Sequence, residues 1–177
     1  IAVGGKGVGL VLRHLEALTE ADHDHLRRFA DQYRIAWYLQ PAGLDSVRLF
    51  HPVDAPSLCY ELPEFGVELE FHPTEFTQVN QALNRVLVRR AMALLDPSFG
   101  ERIGDLFCGL GNFTLPIASL GARVIGIEGS AALVERARQN AERNGLANRC
   151  EFAVANLFEA TGESFAALGK LDKLLID

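Results

Sequence analysis

Asp105-Leu106-Phe107-Cys108-Gly109-Leu110-Gly111-Asn112-Phe113 is the stretch whose reading decides the fold. A largely apolar run from Arg102 to Phe107 stops at two glycines, and an amphipathic helical pattern begins at once. A strand, a tight turn and a helix in that order turn main-chain N–H groups towards a nucleotide-like ligand. Gly109 can take positive φ without a Cβ penalty, and Gly111 lets a ligand approach the main chain closely. Asp105 falls near the carboxyl end of the strand, where ligands bind in open α/β sheets.

Beyond this turn, strands and helices alternate: strand 102–107, helix 112–120, strand 123–127, helix 130–144, strand 150–154, a short helix near 163–168 and strand 173–177. Such alternation implies a parallel sheet with right-handed crossovers. Ser130 caps the 130–144 helix, Asn144-Gly145 stops it, and Leu133, Val134, Ala137 and Ala141 form its core face. Upstream, a long helix runs from about Thr77 to Leu95, with Leu83, Val86, Leu87 and Leu94 as its apolar positions and Pro97 and Gly100 beyond its end.

Residues 1–72 read as a small α+β segment. Gly9 to His14 suggests a strand. Thr19 opens a helix with Asp22 placed as in a capping box, and Leu26, Phe29, Ala30 and Tyr33 follow at helical spacing. Short strands follow at Ile35–Leu39, Val47–Phe50, Leu58–Leu62 and Val67–Phe71, the last alternating with Glu68 and Glu70 as a half-buried strand does. The chain starts at Ile1 with no initiator Met or signal pattern and ends as a fourth strand delivers Asp177. The expectation is therefore a fragment of a longer protein that lacks half of a doubly wound sheet.

Composition bounds the function classes. Of 177 residues, 49% are hydrophobic and 23% charged, as in a globular protein. No apolar run approaches the roughly 20 residues of a membrane span. The formal net charge of −6 gives the chain as a whole no attraction for nucleic acid. Arg85, Arg89 and Arg90 on one helix, and Arg27 and Arg28 on another, read as solvated faces. Three scattered cysteines form no C-x-x-C pair and five histidines form no zinc motif, so no metal site is expected within the chain. A reducing, cytoplasmic setting follows.

Glu128 ends the second strand, where a carboxylate can accept hydrogen bonds from two ribose hydroxyls. Nicotinamide enzymes share that pattern, but here Thr114 stands where G-x-G-x-x-G has its third glycine. The missing glycine favours a smaller adenosine-type ligand. Asn156 follows the third strand; its amide either reads an adenine edge or caps a turn. Asp177 ends the fourth strand on the same side. Asn112 either caps the helix that starts there or faces the ligand. Phe107 is either core or cofactor contact. Cys108 sits where a thiol is activated, yet no adjacent base can be named, and a buried packing residue is the favoured reading.

These segments together resemble the RNA uracil-5 methyltransferase family, most closely its bacterial members that act on 23S ribosomal RNA. The resemblance rests on Phe71-His72-Pro73-Thr74-Glu75-Phe76-Thr77-Gln78-Val79-Asn80, on Asp105 to Ala118 (DLFCGLGNFTLPIA), on Gly126-Ile127-Glu128-Gly129, on Asn140 to Leu146, on Asn156-Leu157 and on Leu174-Leu175-Ile176-Asp177. It is strong over residues 70–177 and weak before them. It implies a partial Rossmann-like class I methyltransferase sheet, with residues 1–72 part of an α+β central domain and residues 73–177 the N-terminal half of the methyltransferase domain. It also implies S-adenosyl-L-methionine contacts at Gln78, Phe107, Asn112, Glu128, Asn156 and Asp177. Gln78 comes from the resemblance alone, since it otherwise looks like any polar residue opening the 77–95 helix.

The family's chemistry is also implied. A thiolate adds to uracil C6, the resulting enolate attacks the methyl sulfonium through C5, and a base strips the C5 proton. The target base must first leave its stack. The N-terminal RNA-binding barrel, the cysteines of a [4Fe–4S] cluster, the nucleophilic cysteine and the base of this family have no counterpart in the chain. No residue here is therefore expected to be catalytic, and the parent protein, acting on 23S rRNA in the cytoplasm, is expected to carry the activity. Alternatives are a uracil-5 methyltransferase acting on tRNA or another rRNA site, and a non-catalytic module holding cofactor or RNA. No membrane partner is expected. An exposed sheet edge would allow pairing between two copies.

Overall fold

The computed structural model describes residues 1–177 and divides into two compact units, residues 1–60 with 70–79 and residues 61–69 with 80–177. In the first unit, β1 (Ala2–Val3), β2 (Val8–Arg13), β3 (Ala36–Gln40) and β4 (Arg48–His51) form one sheet in that order. β1 pairs antiparallel with β2, and β4 antiparallel with β3. β2 and β3 run parallel because α1 (Glu20–Tyr33) crosses between them.

The expected capping box opens α1: Asp22 N–H donates to Thr19 Oγ1 at 3.3 Å, and Thr19 N–H donates to Asp22 Oδ2 at 2.9 Å. Of the apolar positions read in this helix, only Ala30 is fully buried. Phe29 and Tyr33 are largely exposed and pack on each other, ring centroids 4.5 Å apart, with Phe29 also 5.8 Å from Trp37. β5 (Cys59–Leu62) and β6 (Val67–Glu70) form a two-stranded ribbon along which the chain passes from one unit to the other.

The second unit holds α2 (Gln81–Leu95), β7 (Arg102–Leu106), α3 (Thr114–Ser119), β8 (Arg123–Glu128), α4 (Ala131–Arg143), β9 (Cys150–Val154), α5 (Gly162–Ala166) and β10 (Lys173–Ile176). The expected parallel sheet is present, in the order β10-β7-β8-β9 with every pairing parallel. The order reverses between β7 and β10. That is the topological switch point at which open α/β sheets form their ligand crevice. Ile103, Val124 and Ile127 of the sheet, Leu115 and Ile117 of α3, and Val134 and Ala137 of α4 are buried. Gly104 and Gly126 keep two strands bare: a Cβ at Gly126 would lie 2.8 Å from the Phe152 ring and 2.9 Å from Cys108 Sγ.

Two expectations are corrected here. The long helix starts at Gln81, not Thr77, because Asn80 caps it by accepting from Leu83 N–H at 3.0 Å. Its inward stripe is Asn84, Val88 and Met92. Leu83, Val86, Leu87 and Leu94 are 62%, 54%, 43% and 70% exposed. The buried stripe carries a polar residue at its head, so counting apolar positions picks the wrong face. On α4 the inward face is Val134, Ala137, Asn140 and Ala141, again with an asparagine inside and Leu133 only half-buried.

Replacing Thr19 with Ala removes a helix cap without touching the core, and should cost about 1 kcal/mol in urea unfolding followed by circular dichroism. Thr19→Ser should recover most of that loss.

Candidate functional site

The turn after β7 is a run of unusual backbone. Phe107, Gly109 and Gly111 take φ of 62°, 54° and 101°. A bulky residue in the left-handed region is strained, and such strain collects at ligand sites. A Cβ at Gly111 would come 2.5 Å from Leu115 Cδ1, whereas a Cβ at Gly109 would meet nothing within 4 Å. Gly111 is therefore required by packing, and Gly109 leaves an open cradle beside the main chain.

Glu128 reaches this turn from the tip of β8. Its Oε2 accepts from Gly109 N–H at 3.1 Å and its Oε1 from Ser130 N–H at 3.0 Å. A carboxylate offers about four acceptor sites, so two remain for ligand hydroxyls. Asp105, one strand over, is completely buried. Its Oδ2 accepts from Thr114 Oγ1 at 2.5 Å, while Oδ1 has no partner. Burial, opposed by the Thr114 hydrogen bond and reinforced by the Asp177 charge, pushes its carboxyl up to about 7.

Phe107 packs against the cluster of Leu106, Ile125 and Ile127, and its ring centroid lies 5.4 Å from that of the exposed Phe158. Asp177 is exposed at the end of β10, and its N–H donates to Leu106 O at 3.3 Å. Phe107, Glu128, Asn156 and Asp177 thus lie at or just beyond the carboxyl ends of β7, β8, β9 and β10. Asn156 is exposed and its Oδ1 accepts from Phe158 N–H at 3.1 Å, opening the 3-10 turn Leu157–Glu159.

Asn112 does not cap a helix. α3 starts two residues later, after Phe113, which makes no side-chain cap bond. The Asn112 amide instead pairs reciprocally with Asn84, at 2.9 and 3.0 Å. Gln78 is exposed in the loop ahead of α2 and belongs to the first unit, so it does not open the helix. Cys108 is buried, and desolvation together with the charges of Asp105 and Glu128 drives its thiol far above the usual range, as a packing residue requires. No group of three or more His, Cys, Asp or Glu side chains could hold a metal ion, and no helix is long and apolar enough to cross a membrane.

Sequence reading missed the buried Asn84 and Asn140, and the bonds that Asn144 makes to Glu68. Asn84 holds Asn112, Asn140 Nδ2 donates to Leu110 O at 3.1 Å, and the Asn144 amide both donates to Glu68 O at 2.7 Å and accepts from Glu68 N–H at 2.9 Å. The available signal was an amide standing in phase with buried apolar residues on α2 and α4.

A strand order turning at β7, a bare glycine turn and an acid at the tip of the neighbouring strand define the class: a parallel α/β sheet with a candidate ligand crevice at its switch point. A family described as "Methyltransferase domain" matches residues 98–177. The chain is similar over all 177 residues to the 23S rRNA (uracil(1939)-C(5))-methyltransferase RlmD of Dechloromonas aromatica, at 60% identity, covering 41% of that protein. It is 59% identical, over 100% of this chain and 41% of the relative, to the enzyme of the same name from Azoarcus sp.. The similarity runs along the whole chain, which spans about two fifths of the length of these relatives. In fold it is similar to the crystal structure of Pyrococcus abyssi tRNA (uracil-54, C5)-methyltransferase in complex with S-adenosyl-L-homocysteine, with TM-score 0.65 and 22% identity over 94% of this chain and 38% of that one.

Because Asp105 titrates near 7 when folded and near 3.8 when unfolded, the folded chain holds the extra proton between those values. Its contribution to stability should therefore fall as pH rises from about 4 to about 7. Asp105→Asn, which keeps an acceptor for Thr114, should remove that part of the decline in urea midpoints measured against pH. A wild-type-to-variant difference constant across this range would contradict the assignment.

Proposed function

We propose that this chain is the cofactor-holding part of a longer enzyme that methylates C5 of a uridine in 23S rRNA. The observation that carries the reading is the Glu128 carboxylate, held at the glycine turn beside the switch point with acceptor capacity left over. S-Adenosyl-L-methionine supplies an electrophilic methyl group on a sulfonium. The residues proposed to hold it are Gln78, Phe107, Asn112, Glu128, Asn156 and Asp177. Glu128 takes the ribose hydroxyls, Asn156 an adenine edge, and Phe107 offers a ring face. The unpartnered Oδ1 of Asp105 and the open space at Gly109 support a fit for a polar, partly cationic ligand close to the main chain.

On this reading, residues 1–72 are part of a central α+β domain and residues 73–177 open the methyltransferase domain. The nucleophilic cysteine, the general base and a [4Fe–4S] cluster belong to the parent protein outside this chain. The parent works in the cytoplasm, and 23S rRNA is its macromolecular partner. As isolated, the chain binds cofactor weakly and modifies nothing. β10 is an edge strand with Leu174 and Ile176 partly exposed, so two copies of the chain can pair along it.

The full-length protein should transfer labelled methyl groups from S-adenosylmethionine to 23S rRNA and not to tRNA. Calorimetry should find saturable binding of S-adenosylhomocysteine and none of NAD. Glu128→Gln should weaken that binding by on the order of tenfold, since it removes the charge that strengthens these hydrogen bonds. Saturable NAD binding without S-adenosylhomocysteine binding would sink the proposal, and transfer to tRNA alone would move the substrate.

A further inference from the structure

We propose that Asn84 is a positioning residue for the cofactor site, acting through Asn112; this rests on the function proposed above. Asn84 is 2% exposed, in the interior of α2 and in line with Val88 and Met92. An amide is a poor choice for such a position. It is a weaker helix former than Leu or Met, and burying it is costly unless both its donor and its acceptor find partners. Here both side-chain partners are on one residue: Asn84 Nδ2 donates to Asn112 Oδ1 at 2.9 Å, and Asn112 Nδ2 donates to Asn84 Oδ1 at 3.0 Å. The matched pair fixes each amide plane relative to the other, which a single hydrogen bond does not.

Asn112 needs such support. It lies outside any helix or strand, directly after Gly111 with its φ of 101°, so no regular element orients its side chain. Leu110, two residues earlier, is tied by its carbonyl to Asn140 of α4 at 3.1 Å. Helices on either side of the turn thus each send in one buried asparagine. The one from α2 is bonded to a side chain proposed to face the ligand. Its substitution should therefore be felt in ligand affinity as well as in stability.

The pair has a chemical signature. A protonated carboxylic acid can replace a primary amide in a reciprocal pair, donating O–H to Asn112 Oδ1 and accepting from its Nδ2. A carboxylate cannot, because its second oxygen opposes Asn112 Oδ1. Burial raises the pKa of such a carboxyl, bringing the change into a workable range. The test is S-adenosylhomocysteine titration of the full-length protein from pH 5 to pH 8, as the ratio of variant to wild-type dissociation constant. That ratio cancels the titration of Asp105, which both proteins share. Circular dichroism at each pH reports whether the fold is kept.

Asn84→Asp should bind on the order of tenfold more weakly at pH 8 and return towards wild type at pH 5. Asn84→Leu should be weak at both. Affinity within twofold of wild type at pH 8 for folded Asn84→Asp would overturn the inference, as would a deficit that does not change with pH. If the leucine variant does not fold, the pH profile of Asn84→Asp still decides. If the wild type itself does not bind S-adenosylhomocysteine, the proposed function fails instead. The pairing is then read from the side-chain amide resonances of Asn112: loss of slow exchange in Asn84→Asp at pH 8 supports it, and unchanged exchange overturns it.

Discussion

Between the end of β7 and the start of α3 the main chain takes positive φ at three alternate residues, Phe107, Gly109 and Gly111. This wound turn exposes N–H groups that a helix or sheet would otherwise use, and exposed donors must find partners. Glu128 satisfies Gly109 from β8, and Cys108 N–H is taken by Ile127 O at 3.1 Å. The acid at the tip of the second strand therefore shapes the turn and keeps acceptor capacity to spare. Much of the surrounding unit follows from holding this turn. Gly126 stays bare so that Cys108 and Phe152 fit, and Asn140 and Asn84 close on the turn from two helices.

The alternation of elements was legible because it rests on local signals. Ser130 before α4, Asn144-Gly145 after it and the paired glycines after β7 each report a backbone requirement that a single residue type meets. The parallel sheet then follows from connection rules, not from any residue. The tips of β8 and β9 were legible for the same reason. Once the strands are placed, Glu128 and Asn156 can lie only at their carboxyl ends.

What was not legible was which face of α2 turns inward. The four apolar positions that mark the helix in the sequence are more exposed than the stripe headed by Asn84. Periodicity measures hydrophobicity, and here a satisfied amide pair outweighs it: an asparagine with both partners supplied can sit where an unpaired one could not. The partner, Asn112, is far away in sequence, so no local window sees the compensation. The same blindness explains why the sequence offered Asn112 only as a helix cap or a ligand contact. Its position before a helix was right, but its amide was already committed across the unit.

Cys108 shows how environment overrides a suggestive position. A thiol beside a glycine turn at a helix start is the kind of place where thiolates are stabilised. In this chain the same spot is dry and flanked by Asp105 and Glu128, and both effects oppose thiolate formation. The acids proposed to suit the turn to its ligand are the ones that silence the cysteine. Under the proposed function, the covalent step of uridine methylation would therefore take its thiol from a separate stretch of chain, one not shadowed by these carboxylates.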